Sequence, residues 1–435
     1  MITPRTLKGF RDLMPGQAHR REAMVHAVTE TFHRHGYLPI ETPALEYAEI
    51  IKGKGGEESD KQLYEWTDAG GRQVALRFDL TVPLARYVAE HQGQLVFPFR
   101  RYHVGPVWRG ERPQKGRYRE FMQCDADIVG AVGDASDAEM LVVVGDAYRA
   151  LDVGDITIRF NDRRVLQGLL ERIGAVELAT PVLRALDKLD KQGEEPVLRE
   201  MTEAGLSEAD AKQLLAATMP RASDGETLLA LQRAVAGSEI GEAGVGALER
   251  VRGLALAAGT AEQMLQVDPR IARGLDYYTG IVFEARFKEA PEFGSVGGGG
   301  RYDDLAGLYT KAALPGVGGS VGIDRLLAAL EESEGGLSQV APSDVLITYP
   351  ESDQLELAFR AAGHLRGHGL RTEVYPERKK HGAQMRYADR QGIRFVLTLD
   401  EDGTLHGKDL KHGQSFEAKD AIAAVQAMRR RGEAS

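Results

Sequence analysis

The fold of this chain is decided by residues 101–128, RYHVGPVWRGERPQKGRYREFMQCDADI. The two flanks of this stretch, Tyr102–Arg109 and Tyr118–Ile128, are rich in aromatic and β-branched residues, as strands usually are. The segment between them contains glycine and proline and is highly charged, which is typical of a loop. The pattern therefore predicts a β-hairpin with a charged turn.

One face of the second strand would combine an aromatic ring, an amide and carboxylates, because strand side chains alternate between faces. The residues on that face are Arg119, Phe121, Gln123, Asp125 and Asp127. Residues 100–119 hold seven Lys or Arg and one Glu, a local net charge of +6 in a chain whose total is −10. Such a hairpin suits an anionic ligand that carries a ring and an amine. Composition alone favours the alternative, a surface hairpin whose basic turn is solvated.

The length of 435 residues suggests roughly two to four domains. With 43% hydrophobic and 28% charged residues, the composition is that of a globular protein with real cores. The one cysteine, Cys124, excludes an intrachain disulfide framework and fits a reducing compartment. The 11 histidines show no metal-ligand spacing, so no zinc site is expected.

Neither a signal peptide nor a membrane span is predicted, so a cytoplasmic location is expected. The N-terminal sequence lacks an apolar core, and no run approaches the ~18 apolar residues that cross a bilayer. The net charge of −10 argues against general coating of nucleic acid but allows local basic patches.

The first part of the chain shows three clear patterns. Apolar periodicity predicts a helix over Gln17–His35 and a short strand over Tyr37–Ile40. The run VALRFDLTV, Val74–Val82, is predicted as a strand that places Asp79 and Thr81 on one face. These two side chains could bind an ammonium group; the alternative is a half-exposed strand with a satisfied aspartate.

The middle of the chain changes character twice. A helix over Asp137–Leu151 and a strand over Ile156–Phe160 precede residues 165–258, where short helical patterns indicate an inserted helical subdomain. Strand character resumes at Arg273–Phe287. The glycine run Gly297–Gly300 requires a sharp turn or a close approach of the backbone to a ligand.

Two glycine-rich segments superficially resemble nucleotide-binding loops. Residues 53–56, GKGG, lack the GxxxxGK[ST] spacing of a phosphate loop. Residues 314–330 predict a close-packed strand followed by a helix that begins near Asp324. The GVGGSVG within them has Val321 where a dinucleotide fingerprint requires its last glycine, so that interpretation is rejected.

A polar segment at 331–343 is predicted as a linker to a C-terminal module. Strands alternating with helices predict a compact α/β module with a parallel sheet. The predicted elements are strands Val345–Tyr349, Thr372–Tyr375 and Phe395–Leu399, and helices at about 352–367, 382–391 and 418–431. A basic cluster, Arg378-Lys379-Lys380 with Arg386 and Arg390, is either a solvated face or a contact for phosphates.

Three stretches, 17–45, 101–128 and 314–330, resemble the three motifs of the class II aminoacyl-tRNA synthetases. Within that class, four stretches resemble the histidyl-tRNA synthetase family, and the resemblance covers essentially the whole chain. They are RFDLTVPLARY (77–87), ERPQKGRYREFMQCDADI (111–128), RGLDYYTG (273–280) and GGGGRYDD (297–304).

The resemblance implies an α/β protein whose catalytic domain has the antiparallel sheet of class II synthetases and not a Rossmann fold. It implies a homodimer formed through the first motif. The implied domains are a catalytic domain in two parts, residues 1–164 and 259–333, a helical insertion, 165–258, and an anticodon-binding α/β domain, 342–435.

The implied activity is the reaction of histidine with ATP to give histidyl-adenylate and pyrophosphate, followed by transfer of histidine to the 3′ end of histidine tRNA. Mg²⁺ would accompany the phosphates. No membrane or DNA partner is expected. The alternative is a catalytically inactive paralogue that senses histidine or tRNA or serves as a regulatory subunit. Such proteins typically lose signature residues that this chain keeps, so the active enzyme is favoured.

By the resemblance, three arginines are catalytic and bind ATP or its α-phosphate. Arg109 would hold the α-phosphate and the histidine carboxylate, and Arg273 would lie by the α-phosphate where other class members place a metal ion. Arg325 would lie against adenine near the γ-phosphate, with Phe121 on the other face of the base. Glu111 would accept a hydrogen bond from the adenine amino group.

The resemblance also implies two groups of histidine-binding residues, with Arg109 and Arg273 beside them. The α-amino group would be bound by Asp79, Thr81 and Gln123. The imidazole would be bound by Asp127, Tyr277 and Tyr278. The acceptor end of the tRNA would meet Arg112, Gln114 and Arg117, although a loop of this composition could equally be solvated. Asp79 stands where many members have Glu, which leaves the general base of the transfer step open.

Overall fold

The computed structural model describes residues 2–52, 60–114, 116–272, 278–333, 341–349, 354–400 and 404–433. It divides into two compact units, Met1–Asp12 with Arg20–Gly336 and Leu13–His19 with Leu337–Ser435. Several predicted features lie outside the described residues. They are the site residues Arg273 and Tyr277, the GKGG segment and most of the predicted linker. Within the described ranges, no helix is both long and apolar enough to cross a membrane.

An eight-stranded sheet forms the centre of the first unit. In spatial order its strands are β1 (Leu38–Pro39), β5 (Phe99–Trp108), β6 (Glu120–Val129), β11 (Gly316–Val321), β10 (Ser295–Tyr302), β9 (Ile281–Phe287), β7 (Ile156–Asp162) and β8 (Leu265–Val267). The six inner strands pair antiparallel, and the two edge strands lie parallel to their neighbours. The predicted antiparallel catalytic sheet is confirmed.

A smaller sheet and several helices complete this part of the unit. The smaller sheet, in the order β2-β4-β3, consists of β2 (Leu45–Tyr47), β4 (Gln73–Leu76) and β3 (Glu65–Thr67). The helices are α1 (Pro15–Arg34), which belongs to this unit from Arg20 onward, α2 (Ala48–Ile51), α3 (Thr81–His91), α4 (Asp134–Leu151) and, after β11, α12 (Ile323–Ser333). The predicted helix and strand at the start of the chain agree with α1 and β1.

The hairpin predicted at 101–128 is present as β5 and β6. Ten residue pairs join the strands, from Phe99 opposite Val129 to Trp108 opposite Glu120. Because the register is fixed over this length, Arg101 lies directly opposite Asp127. The charged loop and the ends of the strands are therefore held in one fixed alignment.

The helical region between β7 and β8 contains only helices and connecting turns among its described residues. Its α-helices are α5 (Arg163–Arg172), α6 (Ala179–Leu186), α7 (Leu189–Gln192), α8 (Glu194–Glu203), α9 (Glu208–Thr218), α10 (Asp224–Val235) and α11 (Glu239–Ala257). Ser207, Ser223 and Ser238 cap α9, α10 and α11 by accepting a backbone N–H from the third residue on. These caps explain why short helices succeed one another here.

The strand predicted over Val74–Val82 is wrong in its second half. Strand β4 ends at Leu76, and helix α3 begins at Thr81. The carboxylate of Asp79 accepts the backbone N–H groups of Thr81 and Val82 at 3.1 and 2.9 Å. This capping interaction starts the helix, and Pro83 is tolerated because it falls in the first turn.

The glycine run Gly297–Gly300 lies inside strand β10, so the sharp turn, one of the two predicted alternatives, is wrong. The glycines instead allow neighbouring strands to approach closely. A Cβ on Gly299 would collide with the carbonyl oxygen of Gly318 and come within 2.6 Å of the Cα of Gly319. Close approach of backbones, rather than a turn, is the reason for glycine at these positions.

The second unit contains a five-stranded sheet in the order β13-β12-β14-β15-β16. Its strands are β12 (Val345–Thr348), β13 (Thr372–Val374), β14 (Phe395–Leu399), β15 (Leu405–Asp409) and β16 (Gln414–Ala418). The first three are parallel, as predicted, but β15 and β16 add an antiparallel hairpin that the polar sequence did not reveal. The helices are α13 (Leu355–Gly367), α14 (His381–Gln391) and α15 (Ala421–Glu433).

We expect Gly299→Ala to destabilise the first unit by about 2–3 kcal/mol, because the new methyl group would overlap backbone atoms that cannot move independently. Urea unfolding followed by tryptophan fluorescence measures this, since Trp66 and Trp108, both in the first unit, are the only tryptophans in the sequence. The matched control is Gly253→Ala at an exposed position of α11, which should stabilise by about 0.5–1 kcal/mol. Equal stability of wild type and Gly299→Ala would contradict the packing argument.

Candidate active site

A cavity of about 540 Å³ lies in the first unit, over the face of the large sheet formed by β6, β9, β10 and β11. Ten of the sequence-predicted site residues line it. They are Asp79, Thr81, Arg109, Glu111, Arg117, Phe121, Gln123, Asp127, Tyr278 and Arg325. Side chains that are up to 246 positions apart in the chain therefore meet in one place, Asp79 and Arg325 being the extremes.

Asp127 forms a buried cluster with Arg101 and Tyr302. Its carboxylate pairs with the guanidinium of Arg101 at 2.6 Å, and both side chains are almost completely buried. The hydroxyl of Tyr302 donates a hydrogen bond to the other carboxylate oxygen. Burial raises the pKa of Asp127, while the cation and the hydroxyl oppose that rise. The cluster fixes the orientation of a carboxylate at the cavity wall.

Gly318 lies opposite Asp127 on the neighbouring strand β11. A Cβ at this position would overlap the carboxylate of Asp127. Glycine is therefore required for the carboxylate to keep its place against the sheet.

Asp79 and Thr81 lie where α3 begins, and not on a strand face as predicted. One carboxylate oxygen of Asp79 is used to cap the helix. Burial raises the pKa of Asp79, and the capping N–H groups and Arg109 oppose the rise. Across the cavity, the amide nitrogen of Gln123 donates to Ser320 Oγ at 3.2 Å, and its oxygen Oε1 has no hydrogen-bond partner among the described residues. The side chains of Asp79 and Gln123 therefore present hydrogen-bond acceptors to the cavity.

Asp125, between Gln123 and Asp127 on β6, is a further carboxylate at the cavity. Its Oδ1 has no hydrogen-bond partner in the described part of the chain. Burial raises the pKa of Asp125 to about 7, although Arg101 opposes the rise. His103 faces it across the hairpin, and burial lowers the pKa of His103 to about 3, so this histidine is neutral.

Arg109 is held at the other side of the cavity by two aromatic rings. Its guanidinium carbon lies 4.4 Å from the ring centre of Phe78 and 5.1 Å from that of Phe121. Nε donates to the carbonyl of Phe78 at 3.1 Å. This arrangement fixes the plane of the guanidinium and leaves further N–H donors for a ligand.

Arg325, near the start of α12, donates to the carbonyl of Ser295 at the beginning of β10. Gly116 approaches the side chain of Arg325, since a Cβ on this glycine would lie 3.2 Å from Arg325 Cγ. The hairpin loop and α12 therefore meet at the edge of the cavity.

The loop residues predicted to meet tRNA divide into two groups. Arg112 and Gln114 are exposed and do not line the cavity. Arg117 lines it and pairs with Glu111 at 3.4 Å. Arg119, predicted on the ligand-facing surface of the hairpin, instead donates to the backbone carbonyls of Lys8 and Glu111.

The sequence patterns predicted no role for three residues that lie in or next to the cavity. Tyr302 lies within the quoted GGGGRYDD stretch, and Arg101 lies opposite Asp127 in the hairpin, so both carried a positional signal. Glu284 lines the cavity, and Arg159 lies 3.4 Å from its carboxylate. No pattern in the strand that carries Glu284 distinguished it from an ordinary surface position.

The described residues contain no group of three or more His, Cys, Asp or Glu side chains that could hold a metal ion. The donor set at the cavity therefore does not fit a metal ion held by protein ligands alone.

Comparison with known proteins gives consistent matches. The family model for histidyl-tRNA synthetase matches residues 9–326, and that for the anticodon binding domain matches residues 344–419. The histidine–tRNA ligase of Rhodopirellula baltica is 47% identical over 98% of this chain and 99% of its own. The crystal structure of histidyl-tRNA synthetase from Nostoc sp. PCC 7120 covers 99% of this chain and 100% of its own, with 30% identity and a TM-score of 0.88.

A structure described as an ATP phosphoribosyltransferase regulatory subunit/histidyl-tRNA synthetase from Bacillus halodurans C is also similar. It covers 89% of this chain and 97% of its own, with a TM-score of 0.77, but its 21% identity indicates a shared fold alone. The family match and the full-length relative decide the classification. The chain belongs to the histidyl-tRNA synthetase family.

Proposed function

We propose that this chain is a ligase that joins histidine to its tRNA in two steps. In the first step the carboxylate of histidine attacks the α-phosphate of ATP, which forms histidyl-adenylate and releases pyrophosphate. In the second step a ribose hydroxyl at the 3′ end of histidine tRNA displaces AMP and receives the histidyl group. Family membership and the anticodon-binding domain support both steps.

The observation that carries the proposal is the oriented carboxylate of Asp127 in the cavity. A fixed carboxylate accepts the N–H of an imidazole and thereby selects one tautomer and one ring orientation. Tyr278, which also lines the cavity, is suited to the other side of the ring. An amino acid without a matching N–H would leave this buried carboxylate unsatisfied, which is a strong basis for rejection.

The α-ammonium of histidine fits the acceptors at the other end of the cavity. One oxygen of Asp79 is occupied by the helix cap, so the second oxygen is assigned to the ammonium. Thr81 and the free Oε1 of Gln123 complete the set. With Arg109 at the carboxylate, each charged group of the amino acid has a partner of opposite charge or an acceptor.

The adenylation step depends on positive charge at the phosphates. Arg109, with its plane fixed by two rings, is assigned to the α-phosphate, where negative charge spreads in the transition state. Phe121 and Arg325 are assigned to the two faces of adenine, and Glu111 to the adenine amino group. Arg273, outside the described residues, keeps its predicted role beside the α-phosphate.

Mg²⁺ is assigned to the substrate and not to the protein. It prefers phosphate oxygens and water with one or two carboxylates, and the described residues offer no group of three or more metal-ligating side chains. It would therefore enter as the complex with ATP.

The remaining assignments concern the macromolecular partner and the assembly. We assign the acceptor end of the tRNA to Arg112, Gln114 and Arg117, and the anticodon to the C-terminal unit. The proposed catalytic domain consists of residues 1–164 and 259–333. A homodimer through the first motif is supported by the short edge strand β1, where Leu38 is 66% exposed. We place the reaction in the cytoplasm, with no DNA or membrane partner.

The wild-type protein should catalyse histidine-dependent exchange between ATP and pyrophosphate. In this assay Asp127→Asn should raise the KM for histidine about 100-fold or more, because charge and geometry at the imidazole are lost. Tyr302→Phe, which removes one hydrogen bond to that carboxylate, should raise it about tenfold.

The matched control is Tyr309→Phe, whose hydroxyl bonds to the carbonyl of Ile50 outside the cavity lining. It should leave the KM for histidine unchanged. A wild-type protein with no exchange at saturating histidine would refute the proposed function. Unchanged histidine KM values in both cavity variants would refute the role of Asp127.

The double variant Lys380→Glu/Arg386→Glu should raise the KM for tRNA in the charging reaction about tenfold or more. Both side chains are exposed in the basic cluster at the start of α14, and reversing their charge weakens contacts with phosphates. Pyrophosphate exchange needs no tRNA and serves as the internal control, so it should stay at the wild-type rate. Unaltered charging would mean that this cluster is only a solvated surface.

A further inference from the structure

The segment before α1, Thr3–Asp12, lies against the two elements to which ATP binding is assigned. Most of its side chains are exposed, but Gly9, Phe10 and Arg11 are partly covered. The backbone carbonyl of Gly9 accepts the N–H of Arg119 at 2.8 Å. Gly9 has a φ of +89°, and a Cβ there would come within 2.8 Å of Arg119 and 2.9 Å of Pro113. The segment is therefore fitted closely against the hairpin loop.

Arg11 makes the decisive contacts. Its guanidinium pairs with the carboxylate of Asp324, whose side chain is only 4% exposed. The same guanidinium lies 3.7 Å from the ring centre of Tyr118, which precedes β6. One side chain thus contacts both the hairpin and the start of α12.

Asp324 completes the connection. Its second carboxylate oxygen accepts the backbone N–H of Met122 in β6 at 2.5 Å. Asp324 is adjacent to Arg325 in α12 and lines the cavity, and Met122 is adjacent to Phe121. The two residues assigned to the faces of adenine are therefore each next to a residue of this bridge.

We propose that Arg11 is a positioning residue for ATP: through Asp324 and Tyr118 it sets the distance between Phe121 and Arg325. The proposal rests on the proposed function for the identity of the nucleotide. Without Arg11 the buried carboxylate of Asp324 loses its cation and its contact with the segment before α1, so the start of α12 is held against β6 less firmly, through the hydrogen bond to Met122. The cluster of Arg101, Asp127 and Tyr302 does not include Arg11, so the histidine end of the cavity keeps its geometry.

Arg11→Ala should raise the KM for ATP in pyrophosphate exchange about tenfold or more, because small displacements of positioning groups are costly. The KM for histidine should stay within twofold of the wild-type value. Arg11→Lys keeps the positive charge but loses the planar stacking on Tyr118, so it should restore part of the ATP affinity. The matched control is Arg5→Ala, an exposed arginine of the same segment, which should behave as wild type.

Direct binding of ATP, measured by calorimetry in the presence of histidinol, separates this proposal from the proposed function. Histidinol lacks the carboxylate, so no adenylate forms and affinity is read without catalysis. A weaker ATP affinity in Arg11→Ala supports the positioning role even if the wild type shows no exchange. Equal losses of affinity for ATP and for histidine would overturn the positioning role. A lower melting temperature with both affinities unchanged would also overturn it. Arg11→Lys provides the same measurements if Arg11→Ala does not fold.

Discussion

The buried ion pair between Arg101 and Asp127 is the interaction on which the site depends. Both groups are nearly inaccessible to water, so each requires the other, and removal of one partner from such a pair typically costs about 3–5 kcal/mol. Arg101 also donates to the carbonyl of Leu80 at 3.3 Å, directly before α3. The same guanidinium therefore contacts both the carboxylate assigned to imidazole and the turn that carries Asp79.

The glycines of β10 and β11 provide the space that this arrangement needs. Side chains at Gly299 or Gly318 would meet neighbouring backbone or the carboxylate of Asp127. Strands without side chains on this face bring the sheet backbone to the wall of the cavity. The resulting cavity has the carboxylate of Asp127 at the end assigned to histidine, and Arg109, Phe121 and Arg325 at the end assigned to the nucleotide.

Most of this architecture could be predicted from sequence because the patterns are local. The hairpin and the glycine-rich strand before α12 follow from alternation and spacing. The features that were predicted wrongly or missed depend on contacts between residues distant in sequence, or lie in segments without a periodic apolar pattern. The start of α3 is set by the Asp79 cap rather than by apolar period, and β15 and β16 are polar strands. The role of Tyr302 became visible only when the sheet placed its hydroxyl on Asp127.

Selectivity for histidine is the central consequence of the role proposed for the carboxylate of Asp127. The most direct measurement is a pyrophosphate exchange assay with each of the twenty amino acids in parallel, at equal concentration and fixed ATP. The structure predicts that kcat/KM for histidine exceeds that for every other amino acid by about 10⁴ or more, because the buried polar groups reject side chains without a matching donor. Comparable exchange with another amino acid, or none with histidine, would contradict this account.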